Sequence, residues 1–340
     1  MRVHNKGKIA LCVAVLSVII VVFSLVEFSW AETRIPLDRV IDVLIGRGDP
    51  IDARLMKDNI IRVVTALVVG AGLAACGCAM QAVFKNPLAS PYILGLSSGA
   101  SLGAAIGIMV AIPFLPYMVS TPLLSFIFCS GTMFLVYAVS RIGGRSNTET
   151  LILTGVAVSS MLTAFVSFLT YIAPSDVMGD IVFWSMGNLG KTDLKELAII
   201  SPLIVIGIMV ISSYSKELNA LMLGDFHAMD LGIDVSKVRL TILIATTLVV
   251  AAAVSFVGTI GFVGLIIPHI FRILLGPNNR ILIPMSAFGG AAFLLACDYL
   301  AHVVLLNSYS VLPVGILTSM VGAPYFIYLL RRRRKEVGWS

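Results

Sequence analysis

Few side chains in this sequence could act on a substrate, and their spacing limits the chemistry. Asp298 lies inside an apolar run, with His302 one helical turn later on the same face. His269 and Arg272 sit near the end of the preceding run. A carboxylate beside an imidazole within a membrane segment is the material of a proton or sodium relay, but one carboxylate is thin support for ion coupling. Asp298 is therefore expected to be held by helix-end donors or by His302 and to join the bundle. A membrane enzyme or receptor would need His, Cys or carboxylates clustered at one depth, and only Asp298, His302 and His269 are available. Two other motifs fall away. Gly187-Asn188-Leu189-Gly190-Lys191-Thr192 ends like a phosphate-binding loop, but Ser185 stands where that loop needs its first glycine. Cys76-Gly77-Cys78 lacks a second Cys or His pair at ligand spacing. It reads instead as small residues at a close helix contact. The five cysteines (Cys12, Cys76, Cys78, Cys129, Cys297) all lie in apolar runs, and an odd number gives no disulfide framework. No metal ligands are expected.

The elements that must position these residues follow from composition. Of 340 residues, 58% are hydrophobic and 12% charged, and the mean hydropathy is +1.00. Soluble domains average roughly 45–50% apolar and 25% charged residues. That gap excludes an ordinary soluble enzyme, a disordered chain and a disulfide scaffold. An apolar helix of about 20 residues crosses a bilayer. Such runs occur near 9–30, 59–80, 93–112, 118–140, 150–172, 196–213, 238–257, 260–275, 281–303 and 313–330. The predicted fold is all-α: a single transmembrane domain over 1–340 with ten transmembrane helices and a basic tail at 331–340. The first run ends without a small-residue cleavage motif and is read as a membrane span, not a cleaved signal. Ten spans put both termini on one side, which carries sixteen lysines and arginines against eight on the other. That excess marks the side of the termini as cytoplasmic. It also accounts for the net charge of +6 without invoking nucleic acid. The Arg331–Lys335 run anchors the last helix and meets anionic lipid.

Inside the spans, Gly99, Gly103 and Gly107 form a double GxxxG, and Gly70, Gly72, Gly258, Gly261 and Gly264 are similar. Small residues let helix backbones approach closely in lipid. Arg62 and Arg239 open spans entering from opposite sides, as in two inverted four-helix halves. The segment from Leu218 to Ile233 differs from the spans. Leu218, Leu221 and Met222, then Phe226, Met229 and Ile233, fit two short amphipathic helices broken at Gly224. Its acidic residues Glu217, Asp225, Asp230 and Asp234 disfavour an anionic lipid surface. Docking into a partner is the better reading.

The ordered motifs then become recognisable. Gly70-Ala71-Gly72-Leu73-Ala74 leads to Gln81, Lys85-Asn86-Pro87-Leu88-Ala89-Ser90-Pro91, Leu94-Gly95 and Gly99-Ala100. Phe183-Trp184-Ser185-Met186-Gly187-Asn188-Leu189 follows, then Leu223-Gly224, Ala228 and Leu231-Gly232. Gly258, Ile260-Gly261-Phe262-Val263-Gly264-Leu265, Pro268-His269, Arg272 and Asp298 continue the series. It ends with Leu312-Pro313-Val314-Gly315-Ile316 and Gly322-Ala323-Pro324-Tyr325-Phe326. Over nearly the whole chain this resembles the iron-siderophore/cobalamin (FecCD-type) permeases of binding-protein-dependent ABC importers of the large (type II) kind.

The resemblance implies ten helices per subunit, paired as a homodimer or with a homologue, with the path at the subunit interface. Two cytoplasmic ATP-binding subunits would dock on the coupling helices near 216–236, through Leu223, Gly224, Asp225, Ala228, Leu231 and Gly232. ATP and Mg would belong to those subunits; this chain would bind no cofactor and would not be an enzyme. An inner gate would lie at Asn147, Thr148 and Glu149, where Thr148 also suits a helix N-cap. An extracytoplasmic binding protein would deliver substrate. The family often has Arg-x-Pro-Arg where this chain has Asn59-Ile60-Ile61-Arg62, so Arg62 would meet the binding protein, helped by Arg54 and Lys57. An arginine usual four residues after Asp298 is His302, and a glutamate usual before Pro313-Val314-Gly315 is Val311. Ser159, Ser160 and Thr163 give the fifth span a small-polar face that could line the path. Residues 175–189 would cap the outer cavity. The expected cargo is a ferric siderophore or related chelate, with cobalamin, haem or molybdate/tungstate as alternatives. An ion-coupled secondary transporter is the rival reading; it would need Asp298 for coupling and no ATPase.

Overall fold

The computed structural model describes residues 2–29, 35–110, 116–142, 145–146, 148–190, 192–304 and 312–336. Helices α1 (Arg2–Ser29), α2 (Leu37–Leu44) and α3 (Pro50–Val83) lead to a 3₁₀ turn at Pro91–Leu94. Next come α4 (Leu96–Met109), α5 (Tyr117–Ser140), α6 (Thr148–Ile172), α7 (Ser175–Ser185) and α8 (Leu194–Ser213). The chain continues as α9 (Ser215–Leu223), α10 (Asp225–Asp230), α11 (Val235–Val257), α12 (Val263–Leu275), α13 (Asn279–Tyr299) and α14 (Val314–Glu336). Among the described residues, one antiparallel two-residue pair, Arg141–Ile142 with Arg145–Ser146, interrupts the all-helical pattern just before α6.

Seven helices are long and apolar enough to cross a membrane, and three shorter apolar helices, Leu96–Met109, Val263–Leu275 and Val314–Leu329, fall within the other three predicted runs. The shortening has local causes. Pro91 opens the 3₁₀ turn, and Gly95 at φ 77° ends it, so α4 starts only at Leu96. Gly258 at φ 73° and Phe262 at φ 65° break the run after α11, so α12 starts only at Val263. In the other direction, α3 starts nine residues before the predicted run. Asp49 caps it by accepting from the Ile51 amide, and Pro50 occupies the first turn, where a missing N–H costs nothing. The polar stretches also hold helix: α2 lies between the first two runs, and α7 fills half of 174–195. A reciprocal Asp193–Glu196 capping box opens α8.

Helices α3, α11 and α13 form the buried centre, with α3 against α13 and α4 against α5 as the most extensive pairings. Glycine makes these contacts close. A Cβ on Gly77 would sit 1.7 Å from the Gly264 carbonyl oxygen, and one on Gly70 would sit 2.3 Å from that of Gly290. Gly99, Gly103 and Gly107 lie against Thr132, Leu124 and Thr121 of α5 in the same way. The Cys76-Gly77-Cys78 segment is therefore a helix contact, with both thiols buried. α1 packs at the periphery and leaves Leu11 and Val18 exposed.

Candidate functional site

Three features stand out: a buried charge cluster at the end of the bundle that carries α2, a cavity along one flank, and a projecting element, α9–α10, at the opposite end.

The cluster joins three helices. Arg62 of α3 donates from Nε to Asp298 Oδ2 at 2.7 Å and from Nη2 to Oδ1 at 2.8 Å. Its Nε also lies 3.8 Å from Glu27 Oε1 of α1. His302, on a π-helical turn after α13, pairs through Nδ1 with the same Glu27 oxygen at 2.6 Å. Arg62 is 7% exposed, and Glu27 and Asp298 are fully buried. One expectation is corrected here: Asp298 is satisfied by Arg62, not by helix-end donors or His302. The Arg62 guanidinium is turned inward by these two charge-assisted bonds, while the residue also borders the pocket above the cluster. Arg54 and Lys57 do stay exposed. Lys57 borders a polar pocket of about 500 Å³ over the cluster, with Asp58, Asp193 and Lys195. Glu27 escaped the sequence reading, although a lone carboxylate inside an apolar run was the available signal.

The cavity has a volume of about 780 Å³, within the usual range for small-ligand sites. Ser97, Ser98 and Ser101 of α4, Thr163 of α6, Ser185, Thr259 and Ser319 supply hydroxyls, and none of its lining residues is charged. Several of those hydroxyls are already engaged. Ser98 and Thr163 pair at 3.3 Å, Thr259 donates to the Ser185 carbonyl, and Ser319 donates to that of Gly315 at 2.8 Å. One wall is a triple backbone approach. A Cβ on Gly258 would meet the Trp184 carbonyl at 2.2 Å, and one on Gly315 would meet that of Met186 at 2.2 Å. Of the predicted path residues, Thr163 lines this cavity. Ser159 instead faces Gly95, and Ser160 bonds back to the Val156 carbonyl.

At the opposite end, Gly224 at φ 127° separates α9 from α10, and Gly232 at φ 78° follows α10. Both are backbone conformations that favour glycine. Leu223 (70% exposed), Phe226 (80%) and Leu231 (68%) form an apolar knuckle. Leu218, Leu221 and Ala228 face inward. Phe226 and Met229 (45% exposed) thus leave uncovered the apolar face that spacing gave the second short helix. Asp225 bonds Lys85 at 2.7 Å and Arg239 at 3.2 Å. Burial alone would raise the Asp225 pKa; those two cations outweigh it and hold the carboxyl below its ordinary value. Nearby, Arg272 donates to Gln81 Oε1 at 3.2 Å, and half-buried His269 lies one turn earlier on α12. Thr148 and Glu149 open α6, and Asn147 lies outside the described residues. So does Val311. Among the described residues, no three His, Cys, Asp or Glu side chains gather as a metal site.

A family model described as the FecCD transport family matches residues 16–332. The cobalamin import system permease protein BtuC of Halobacterium salinarum is 40% identical over 80% of this chain and 72% of its own. The hemin transport system permease protein HmuU of Yersinia pestis is 38% identical over 81% of this chain and 82% of its own. A solved inward-facing structure of a transporter assigned to the metal-chelate ABC type superposes with a TM-score of 0.82 and 28% identity, covering 95% of this chain and 99% of that one. With apolar spans, an uncharged cavity and these relatives, this multi-pass membrane protein belongs to the FecCD transport family and is an ABC-importer permease.

Proposed function

We propose that this chain carries a ferric siderophore or a closely related metal chelate across the cytoplasmic membrane, as one of two permease subunits. The observation that carries the reading is the flank cavity. Its hydroxyls are largely spent on protein partners, and it offers no charge to hold a ligand. A bulky chelate with a polar rim can pass such a surface without being trapped, and recognition then belongs to a separate binding protein. Cobalamin and haem, the cargoes named for the two relatives, remain alternatives within the class, as does molybdate.

In this reading the α10 end faces the cytoplasm, and one of the two ATP-binding subunits seats on Leu223, Phe226 and Leu231. An aromatic side chain 80% exposed, beside two leucines, is the kind of anchor that a partner's groove covers. The extracytoplasmic binding protein meets the α2 end, where Arg54 and Lys57 are available. A second copy completes the path against the exposed face of α6, where Leu153, Phe165 and Tyr171 are uncovered. ATP hydrolysis on the partner subunits drives the two copies to rock and alternate access. Ion coupling is disfavoured, because its candidate carboxylate, Asp298, is buried and neutralised by Arg62.

The test is uptake in vesicles holding the chain with its ATPase and binding protein. Labelled ferric siderophore, haem, cobalamin and molybdate are supplied in turn, with and without ATP. ATP-dependent accumulation of the ferric siderophore is expected. Accumulation of another compound replaces the cargo but keeps the class. Accumulation driven by an ion gradient without ATP would refute the proposal.

A further inference from the structure

We propose that Asp225 is the joint through which the docking element moves α3 and α11. This rests on the reading of α9–α10 as the ATPase seat and adds the route by which movement leaves that seat. The two short helices are attached to the bundle differently. α9 is sewn on by packing: Leu218 and Leu221 are buried. Asn219 accepts from the Asn279 amide at 2.8 Å and bonds Asn278 at 3.0 Å. α10 has only six residues, and only Ala228 among them is buried. Glycines in left-handed or unusual conformations flank it at Gly224 and Gly232. Packing alone therefore transmits little from α10.

Asp225 supplies what packing lacks. One carboxylate oxygen lies 2.7 Å from Lys85 Nζ, just beyond the end of α3, and the other lies 3.2 Å from Arg239 Nη2, in the first turns of α11. The carboxylate thus ties α10 to two of the three central helices.

Two further observations point the same way. Lys85 has a positive φ of 50°, one of only two such non-glycine residues among those described. A left-handed backbone on a residue with a side chain carries strain that persists only where the surroundings impose it. Glycine would adopt that backbone freely, but it would lose the ammonium that Asp225 holds. Arg239 has only 5% of its side chain exposed. A buried guanidinium holds its partners close, because a charge out of water depends on the groups that compensate it. When α10 shifts, Asp225 drags both cations with it. α9 acts separately on the start of α13 through Asn219.

The test uses the full complex of permease, ATPase and binding protein in lipid nanodiscs. ATPase co-purification, basal ATP hydrolysis, and the stimulation of hydrolysis by the unloaded binding protein are measured. Lys85→Met is expected to keep co-purification and basal hydrolysis near the parent while stimulation falls about fivefold or more, and Asp225→Asn is expected to lose stimulation to the same degree. Asp225→Glu and Lys85→Arg are expected to retain most of it, which a generic loss of stability would not distinguish. Stimulation unchanged in both Asp225→Asn and Lys85→Met would overturn the proposal. Loss of ATPase co-purification in Asp225→Asn alone would overturn it too, making Asp225 a docking contact. If the parent chain fails to bind an ATPase, the docking reading itself falls.

Discussion

Replacing Asp298 with alanine tests whether the Glu27–Arg62–Asp298–His302 cluster holds the bundle together. The change strands a guanidinium that is 7% exposed and that now makes two bonds of 2.7 and 2.8 Å to the lost carboxylate. Removing one member of a buried ion pair costs about 3–5 kcal/mol. Here Glu27 Oε1 stays 3.8 Å from Arg62 Nε and softens the loss. At that distance the remaining attraction is about 4 kcal/mol for an effective dielectric of 20. The expected cost is therefore at the lower end, about 3 kcal/mol. That corresponds to a fall in Tm of roughly 6–12 °C, using the scaling for the larger soluble domains. Tm in detergent, followed by the loss of the monodisperse peak on heating, measures it. The double change Arg62→Met, Asp298→Leu replaces the pair by apolar side chains and is expected to recover most of the loss, because a buried pair contributes little beyond a well-packed hydrophobic substitute. A single mutant within 1 °C of the parent would refute the argument. A double mutant less stable than the single would instead show that Glu27, left with His302 alone once Arg62 is gone, is the charge that depends most on the cluster.

Gly77→Ala should disrupt the fold, because its Cβ would meet the Gly264 carbonyl at 1.7 Å. Gly131→Ala, with open space around it, should behave like the parent in expression and chromatographic homogeneity. Leu231→Glu places a charge on a residue 68% exposed, so Tm should change little while ATPase co-purification falls at least tenfold; retained binding would move the docking site elsewhere. Asp225 gives a pH signature. Its pKa is held below the ordinary 3.8, so the stabilisation from Lys85 and Arg239 is complete above about pH 4 and is lost as pH falls through the lowered value. The Tm gap between the parent and Asp225→Asn should be constant from pH 7 to about 4.5 and close at lower pH. It should be small, because the carboxylate is 36% exposed and solvent screens the pair to under about 1 kcal/mol. A gap that instead widens in acid would reverse the assignment.

Much of the fold was legible because lipid imposes simple rules. Apolar runs gave the helices, and the Gly99–Gly103–Gly107 and Cys76–Gly77–Cys78 spacings marked close contacts that the structure contains. The missed details are tertiary. Nothing near Arg62 in the sequence names its partner, because Glu27 and Asp298 come from helices 35 and 236 positions away. The helical period gave both short helices an apolar face but could not tell that the face of α9 (Leu218, Leu221) is buried in the bundle while Phe226 of α10, beyond the break at Gly224, is left uncovered. The start of α3 was misplaced because its first turns are polar, and hydropathy cannot see a helix that continues past the lipid. Lys85 was visible only as a family motif. Its use became clear once Asp225 was beside it.

The length of α3 has a mechanical consequence. Its 34 residues make a rod of about 51 Å, against a hydrocarbon layer of about 30 Å. The rod holds Arg62 toward one end and delivers Lys85 at the other. Between them, Gly70 rests on Gly290 and Gly77 on Gly264, backbone to backbone, with no side chain to cushion either contact. Those two bare contacts form a fulcrum midway between the charged ends. Each arm is about 17 Å long, so a tilt of about 5° carries the two ends roughly 1.5 Å in opposite directions. A beam pivoting at those contacts would carry Arg62 and Lys85 in opposite directions without bending.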